Sequence, residues 1–314
     1  MGVRAALALQ LGFLVSRTSM TWDEGDHLYA GYRSLTEGDF GLNPEHPPLV
    51  KMLAAAPLLA MRLEVPALQG RYFKHEAFLG GREFLSRNGI DRVLTPARLS
   101  AGLLTLLTGV IVFLAGREMF GPTAGLVALA LLVFDPNMIA HGALVTTDMG
   151  LSGFMFASVY ALYRYVKAPS PGRLALVGLA TGLALASKHT GVLVLPMLAL
   201  LLLCEWRGLG AKRAIQALAT IGVIALAVLW AFYGFRYASR PGGLAIEPSF
   251  ADSLAIVPKP LQRAVLSMLA RFHVLPESYL YGLGDVLFMD SIYTTYAGAL
   301  TIDNRIMDLS RREA

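Results

Sequence analysis

The sequence predicts an all-α polytopic membrane protein: a transmembrane helix bundle of about seven spans with a long first outer loop. Three observations predict it. Apolar residues make up 55% of the 314 positions and charged residues 16%, against about 25% charged in soluble domains; mean hydropathy is +0.55. A water-soluble fold of this size has no interior for so much apolar surface. Apolar runs near the 17–25 residues that cross a bilayer recur along the chain. Between residues 97 and 236 the acids are Glu118, Asp135, Asp148 and Glu205, all at expected span ends or in loops. The composition excludes disorder, collagen and coiled coil, and the single cysteine, Cys204, excludes a disulfide scaffold. A net charge of +5 would suggest nucleic acid in a soluble chain. Here a positive-inside bias explains it, and no nucleic-acid partner is expected.

Residues 2–17 form a short first span. They resemble the apolar region of a signal peptide, but no small-residue cleavage site follows, so the span is expected to remain uncleaved. Residues 18–96 are the outer loop. Within it, 49–63 carry Lys51, Pro57 and Arg62, a pattern that fits a surface-lying helix better than a span. Further spans are expected at 97–116, 122–140, 148–166, 171–187, 190–206 and 213–235. Gly178-x-x-x-Gly182 in the fifth permits close helix packing. The hairpin from Pro171 to Trp206 holds two spans in 36 residues. Each half is near minimum length, so its Ser187-Lys188-His189 turn is expected slightly below the membrane surface; one long tilted helix is the alternative. Residues 241–283 read as an outer-surface helix anchored by Phe250, Phe272, Tyr279 and Tyr281. From Asp285 to Ala314 no span-length apolar run occurs, as in a truncated or frameshifted product. The chain thus divides into a transmembrane module, 1–236, and an incomplete C-terminal region, 237–314.

Charge in the short loops sets the orientation. A cytoplasmic N-terminus places Arg4, Arg117, Arg164, Lys167, Arg173, Arg207, Lys212 and Arg213 inside, and leaves Lys188 in the short loops outside. The long loop and the tail then face a periplasm or the exterior.

Unusual polar groups gather on that outer side. Asp23, Glu24, Asp26, Glu37, Asp39 and Glu45 fall between residues 23 and 45 with one base, Arg33. The following Asn43-Pro44-Glu45-His46-Pro47-Pro48 is stiffened by proline, which fixes φ and removes donors. Thr21-x-x-Glu24 also matches a capping box, and Thr146-Thr147-Asp148 could cap the fourth span. A cap uses one carboxylate, which leaves the others unexplained. His27, His46, His141 and His189 map to the same side. Histidine and carboxylate are suitable metal ligands, so a divalent metal is possible, but no two histidines stand four apart on a helix and none is indicated.

Trp22-Asp23-Glu24, Gly38-Asp39-Phe40 and His46-Pro47-Pro48-Leu49-Val50-Lys51 resemble the first outer loop of the protein O-mannosyltransferase superfamily (glycosyltransferase family 39), related to the bacterial lipid A aminoarabinose transferase. Ala97-Arg98-Leu99-Ser100, Asp148 and Ser187-Lys188-His189-Thr190-Gly191 keep the family's order, and the resemblance covers about residues 20–235.

That resemblance implies a C-type glycosyltransferase bundle in a bacterial inner membrane. It would move a sugar from a polyprenyl phosphate to a hydroxyl of a protein, lipid or cell-envelope glycan on the outer face, with inversion. No nucleotide-binding loop is expected, and the sequence contains none. Displacing a lipid phosphate from an anomeric carbon needs a base for the acceptor hydroxyl and cations for the leaving group. Asp23 is the candidate base, and Glu24 and Asp148 orient it or bind the acceptor. Lys51, Arg98 and Lys188 are candidates for the phosphate, with His46 and His189 donating to the same oxygens. A transporter or lipid flippase, and an inactive truncated member, are the competing readings. Transporters place ionisable groups at mid-membrane, whereas the charges here collect on one face.

Overall fold

The structure, a computed structural model, describes residues 2–70 and 72–288. Among the described residues every regular element is helical. The segment expected as the first span is α1 (Gly2–Val15). The segment expected as the outer loop folds into α2 (Glu24–Thr36), α3 (Pro48–Ala55) with a 3₁₀ extension Ala56–Ala60, and α4 (Phe73–Asn88). The bundle follows as α5 (Ile90–Phe120), α6 (Pro122–Val133), α7 (Pro136–His141), α8 (Asp148–Lys167) and α9 (Pro171–Ser187). It continues through the 3₁₀ turn His189–Leu193, α10 (Val194–Cys204), α11 (Trp206–Leu209) and α12 (Ala211–Phe232). Beyond it lie α13 (Phe250–Ala255), α14 (Pro260–Arg271) and α15, residues 277–288.

Each expected span coincides with helix, but two reach crossing length as single apolar helices, α5 and α12. The 31 residues of α5 extend about 46 Å at 1.5 Å per residue, against about 30 Å of hydrocarbon. It is longer than one perpendicular crossing needs. The span expected at 122–140 is broken. After Val133 the chain leaves the helix, and the Asp135 side chain accepts from the N–H groups of Asn137 and Met138 to start α7 with Pro136 in its first turn. The Pro171–Trp206 hairpin is two helices, not one: Lys188 is extended (φ −156°, ψ 147°) and the turn after it is 3₁₀.

Glycine sets the packing in the bundle. A Cβ on Gly178 would lie 2.6 Å from Ile224, and one on Gly182 2.5 Å from Val228, so the Ile224 and Val228 side chains of α12 seat directly on the backbone of α9. Helices α8 and α9 run antiparallel, tied at one end by Lys188 to Asp148 (2.6 Å) and at the other by Arg173 to the Arg164 carbonyl (2.8 Å).

The outer loop is a packed helical cap. Leu28, Tyr29, Leu42, Ala54, Leu58, Phe84 and Val93 form its core. Two expectations are corrected here. The first half of 49–63 does not lie on a surface: Leu49, Val50, Lys51, Ala54 and Ala55 are buried, because α3 packs between α2, α5 and α9, whereas Ala56, Leu59, Ala60 and Arg62 beyond it are exposed. Nor do the four aromatics of the tail act alike as surface anchors. Phe272 is exposed and Phe250 half-buried, but Tyr279 and Tyr281 are buried. The tail returns to the outer loop instead: Arg240 pairs with both oxygens of Asp39 (3.1 and 3.0 Å) and Ser278 Oγ donates to the Phe40 carbonyl (2.6 Å). The expected truncation concerns a segment that falls largely outside the described residues.

Candidate functional site

Helix α2 carries the acidic start of the site. Glu24 reaches back to accept from the Thr21 N–H (2.9 Å), half of the expected capping box. Thr21 Oγ1 makes no reciprocal bond and is buried without a partner. Asp23 is the N-cap residue, its side chain makes no capping bond, and it is exposed. Three and four residues on, Asp26 and His27 lie on the same face of the first turn. Glycine brings α2 close to its neighbours: a Cβ on Gly31 would collide with the backbone of Lys51, and one on Gly81 would lie 2.5 Å from Gly25.

Glu24 and Arg98 pair with each other. Arg98 Nε and Nη2 donate to the two carboxylate oxygens at 2.8 and 2.6 Å, both residues being buried. Its remaining N–H groups go to Thr18 O, Thr18 Oγ1 and Ser19 O. All five donors of the guanidinium are engaged inside the protein, so Arg98 has none left for a phosphate, a correction to its expected role. Glu24 also accepts from the Val145 N–H (3.1 Å). Burial alone would raise its carboxyl; the hydrogen bonds from Arg98, Thr21 and Val145 outweigh that and hold it below the usual value. Its place is structural, locking the end of α1, the start of α2 and the loop before α8 onto α5.

The proline-stiffened loop 43–48 brings the second group. Pro47 precedes α3, and Pro48 occupies the first helical position, where a missing N–H costs nothing. Lys51, one turn into α3, turns back to donate to Asn43 O (2.6 Å) and Oδ1 (2.9 Å). Burial brings its ammonium down to about 7, against the pull of Asp26, Glu45 and Asp39. Burial takes Asp26 the other way, up to about 7, helped by the charges of Asp23 and Glu45.

Three imidazoles line the space between these groups. His27 and His46 meet edge to face at 4.8 Å. His27 Nδ1 donates to Val145 O (2.7 Å) and His189 Nε2 to Pro44 O (3.0 Å). A carbonyl can only accept, so each of those nitrogens carries the proton. Burial holds both rings neutral, with pKa values brought down to about 4, and lowers His46 well below its usual value, assisted by His27 and Lys51. The other nitrogens, His27 Nε2 and His189 Nδ1, are therefore bare acceptors. Both are buried without a partner, as are His46 Nδ1, Asp26 Oδ1, Thr146 Oγ1 and Tyr279 Oη. Tyr279 stands 4.6 Å from His189.

Asp148 and Lys188 pair at 2.6 Å on the accessible side, with 54% and 29% of their side chains exposed. Thr147 makes no capping bond, so Asp148 serves as the partner of Lys188. The charge of Lys188 is felt at His46. Lys74 closes the opposite side by joining Glu45 (2.7 Å) to Asp285 (2.9 Å).

Of the eight expected residues, Asp23, His46, Lys51, Lys188 and His189 thus surround one polar tract with Asp148 at its edge, while Glu24 and Arg98 are withdrawn into their own pair. Sequence reasoning gives no catalytic or substrate-binding role to Asp26, His27, Glu45 or Tyr279; it reads His27 only as a conceivable metal ligand and Tyr279 only as a surface anchor. The spacing of Asp26 and His27 from Asp23 was the legible signal; Tyr279 had none. Among the described residues no three of His, Cys, Asp or Glu converge as a metal-ligand group.

Residues 90–232, from the start of α5 to the end of α12, match a family described as dolichyl-phosphate-mannose-protein mannosyltransferase. The match includes Arg98, Asp148, Lys188 and His189; the cap carrying Asp23, His46 and Lys51 precedes it. No curated protein matches the chain.

Proposed function

We propose, from the match of residues 90–232 to the dolichyl-phosphate-mannose-protein mannosyltransferase family, that the chain is a membrane glycosyltransferase of the mannosyltransferase type that moves a sugar from a polyprenyl phosphate to an acceptor hydroxyl at the outer membrane face. The observation that carries this reading is the pairing of one free carboxylate with a cationic rim. Asp23 is exposed and makes no capping bond, whereas Glu24 beside it is saturated by Arg98.

Asp23 takes the proton of the acceptor hydroxyl. The freed oxygen attacks the anomeric carbon as the bond from that carbon to the phosphate oxygen breaks, and the electron pair leaves with the polyprenyl phosphate. Lys188, partly exposed beside Asp148, receives the phosphate charge; Lys51 contributes its field from beneath. Cations placed where charge develops are the largest source of such acceleration. Attack opposite the leaving group inverts the anomeric carbon. The buried acceptors His27 Nε2 and His189 Nδ1 face a deficit that hydroxyl-rich ligands relieve, because unpaired buried polar groups are costly.

The test is incubation of membranes holding the full chain with radiolabelled polyprenyl-phosphate sugars. Label should pass from the lipid to a protein, lipid or glycan acceptor. Uptake of label into vesicles without transfer would replace this reading with transport.

A further inference from the structure

The end of the bundle remote from the outer cluster has a second candidate site. An open groove of about 370 Å³ runs between α5, α8 and α9, walled by Leu107, Ile111, Phe154, Leu176, Leu179 and Leu183 and closed at its mouth by Arg164 and Arg173. On α8 the wall runs ten residues from Phe154 to Arg164, and on α9 ten residues from Arg173 to Leu183. At 1.5 Å per residue both are about 15 Å, half the ~30 Å hydrocarbon thickness of a bilayer. Asp148, at the outer end of α8, is sixteen residues from Arg164, or about 24 Å along the helix. The groove is therefore separate from the sugar-transfer site and one leaflet deep.

Its two ends differ in chemistry. Leu107, Leu176 and Leu179 are between 42% and 51% exposed, an apolar wall without a protein cover among the described residues. At the mouth, Arg173 Nη1 donates to the carbonyls of Arg164 and Ala168. That leaves Nη2 without a hydrogen bond among the described residues. Arg164 approaches Glu118 through Nε at 3.3 Å, and its terminal nitrogens make no hydrogen bond there. Arg164 and Arg173 thus stand at the mouth with one nearby carboxylate, Glu118, which is shared with the Tyr160 hydroxyl. The order is a basic mouth, then an apolar channel as deep as one leaflet.

We infer that this groove binds an anionic phospholipid, its phosphodiester between Arg164 and Arg173 and one acyl chain along α8 and α9. Basic pockets between membrane helices hold acidic headgroups in this manner. A zwitterionic lipid matches the channel but not the excess of positive charge, which selects the headgroup.

The experiment is native mass spectrometry of the full chain, delipidated in detergent and titrated with phosphatidylglycerol or phosphatidylcholine. Wild type should retain phosphatidylglycerol in preference. The pair Arg164→Gln and Arg173→Gln should weaken that retention roughly 10- to 30-fold, the loss of two interfacial cations, whereas Lys212→Gln should leave it unchanged. Leu179→Trp, which fills the channel and keeps both arginines, should abolish retention of either lipid and covers the case where the double variant fails to fold. Equal retention of the two lipids by wild type, or undiminished retention by Leu179→Trp, would overturn the inference. So would preferential retention of added polyprenyl phosphate.

Discussion

Glu24 and Arg98, 74 positions apart, form a buried two-pronged ion pair at 2.8 and 2.6 Å, and the residue immediately before Glu24 is the exposed Asp23. Adjacent carboxylates thus have opposite fates: one is spent on holding the cap to the bundle, the other is left free.

That division predicts separable phenotypes. Arg98→Ala leaves Glu24 as an uncompensated buried charge and should destabilise the protein by about 3–5 kcal/mol. Arg98→Lys should rescue it poorly, since a lysine cannot reproduce the five-donor fork. Thermal unfolding in detergent reads both, and near-wild-type stability of Arg98→Ala would show that the pair does not hold the cap.

Asp23→Asn should leave the unfolding temperature unchanged, because the side chain is exposed and makes no capping bond. Turnover should fall by about 10²–10⁴-fold, the range lost with a general base. An unimpaired Asp23→Asn protein in the labelled-sugar assay would remove Asp23 from the reaction.

Lys188→Gln should raise KM for the polyprenyl-phosphate donor more than it alters acceptor dependence, as expected of a group that meets the phosphate. Asp148→Asn, which frees the same ammonium from its 2.6 Å partner, should shift donor affinity the other way. Equal effects on donor and acceptor dependence would argue for a role in folding alone.

Stability should fall as pH drops from about 6.5 to 4. His27 and His189 are held near 4 in the folded protein, so over this window the unfolded chain binds two protons that the folded one refuses. Asp26, raised to about 7, acts oppositely: its carboxyl is protonated folded and ionised unfolded, so what it contributes is present at low pH and lost as pH rises to about 7. For these three groups the unfolded state binds a net one proton more (two minus one), a slope of about 1.4 kcal/mol per pH unit; His46 adds in the same direction. Asp26→Asn should steepen the acid limb and His189→Gln should flatten it. Denaturant titrations at fixed pH steps would show parallel limbs if these groups are not the ones titrating.

Gly282→Ala places a methyl group against His189 Nε2 and Pro44 O, the two atoms of one hydrogen bond. It should cost about 1–3 kcal/mol as an overpacking change and expose Tyr279 to solvent. A fluorescence quenching signal identical to wild type would show that α15 yields without disturbing the histidine.

The positions of the helices were legible because hydropathy along a chain is local. Every run of apolar residues expected as a span became helix, and Gly178 and Gly182 already marked a close helix contact. Two failures were also local in origin. Pro136 and the 3₁₀ turn after Lys188 shorten helices in ways that a hydropathy window averages over. The 49–63 segment has the amphipathic pattern of a surface helix, and that pattern does not say whether its apolar face meets lipid or protein.

Chemistry-bearing residue types and their order are legible in the sequence, which is enough to single out Asp23, His46, Lys51, Asp148, Lys188 and His189. Which of them remain accessible was decided by tertiary structure alone. Arg98 and Glu24 find each other across 74 residues, and Lys188 finds Asp148 across 40. The neutrality of His27 and His189 follows from burial beneath segments far away in the chain. Residue identity sets which charges a protein can have; the neighbours brought in by folding, through desolvation and pairing, set which of those charges are left to act.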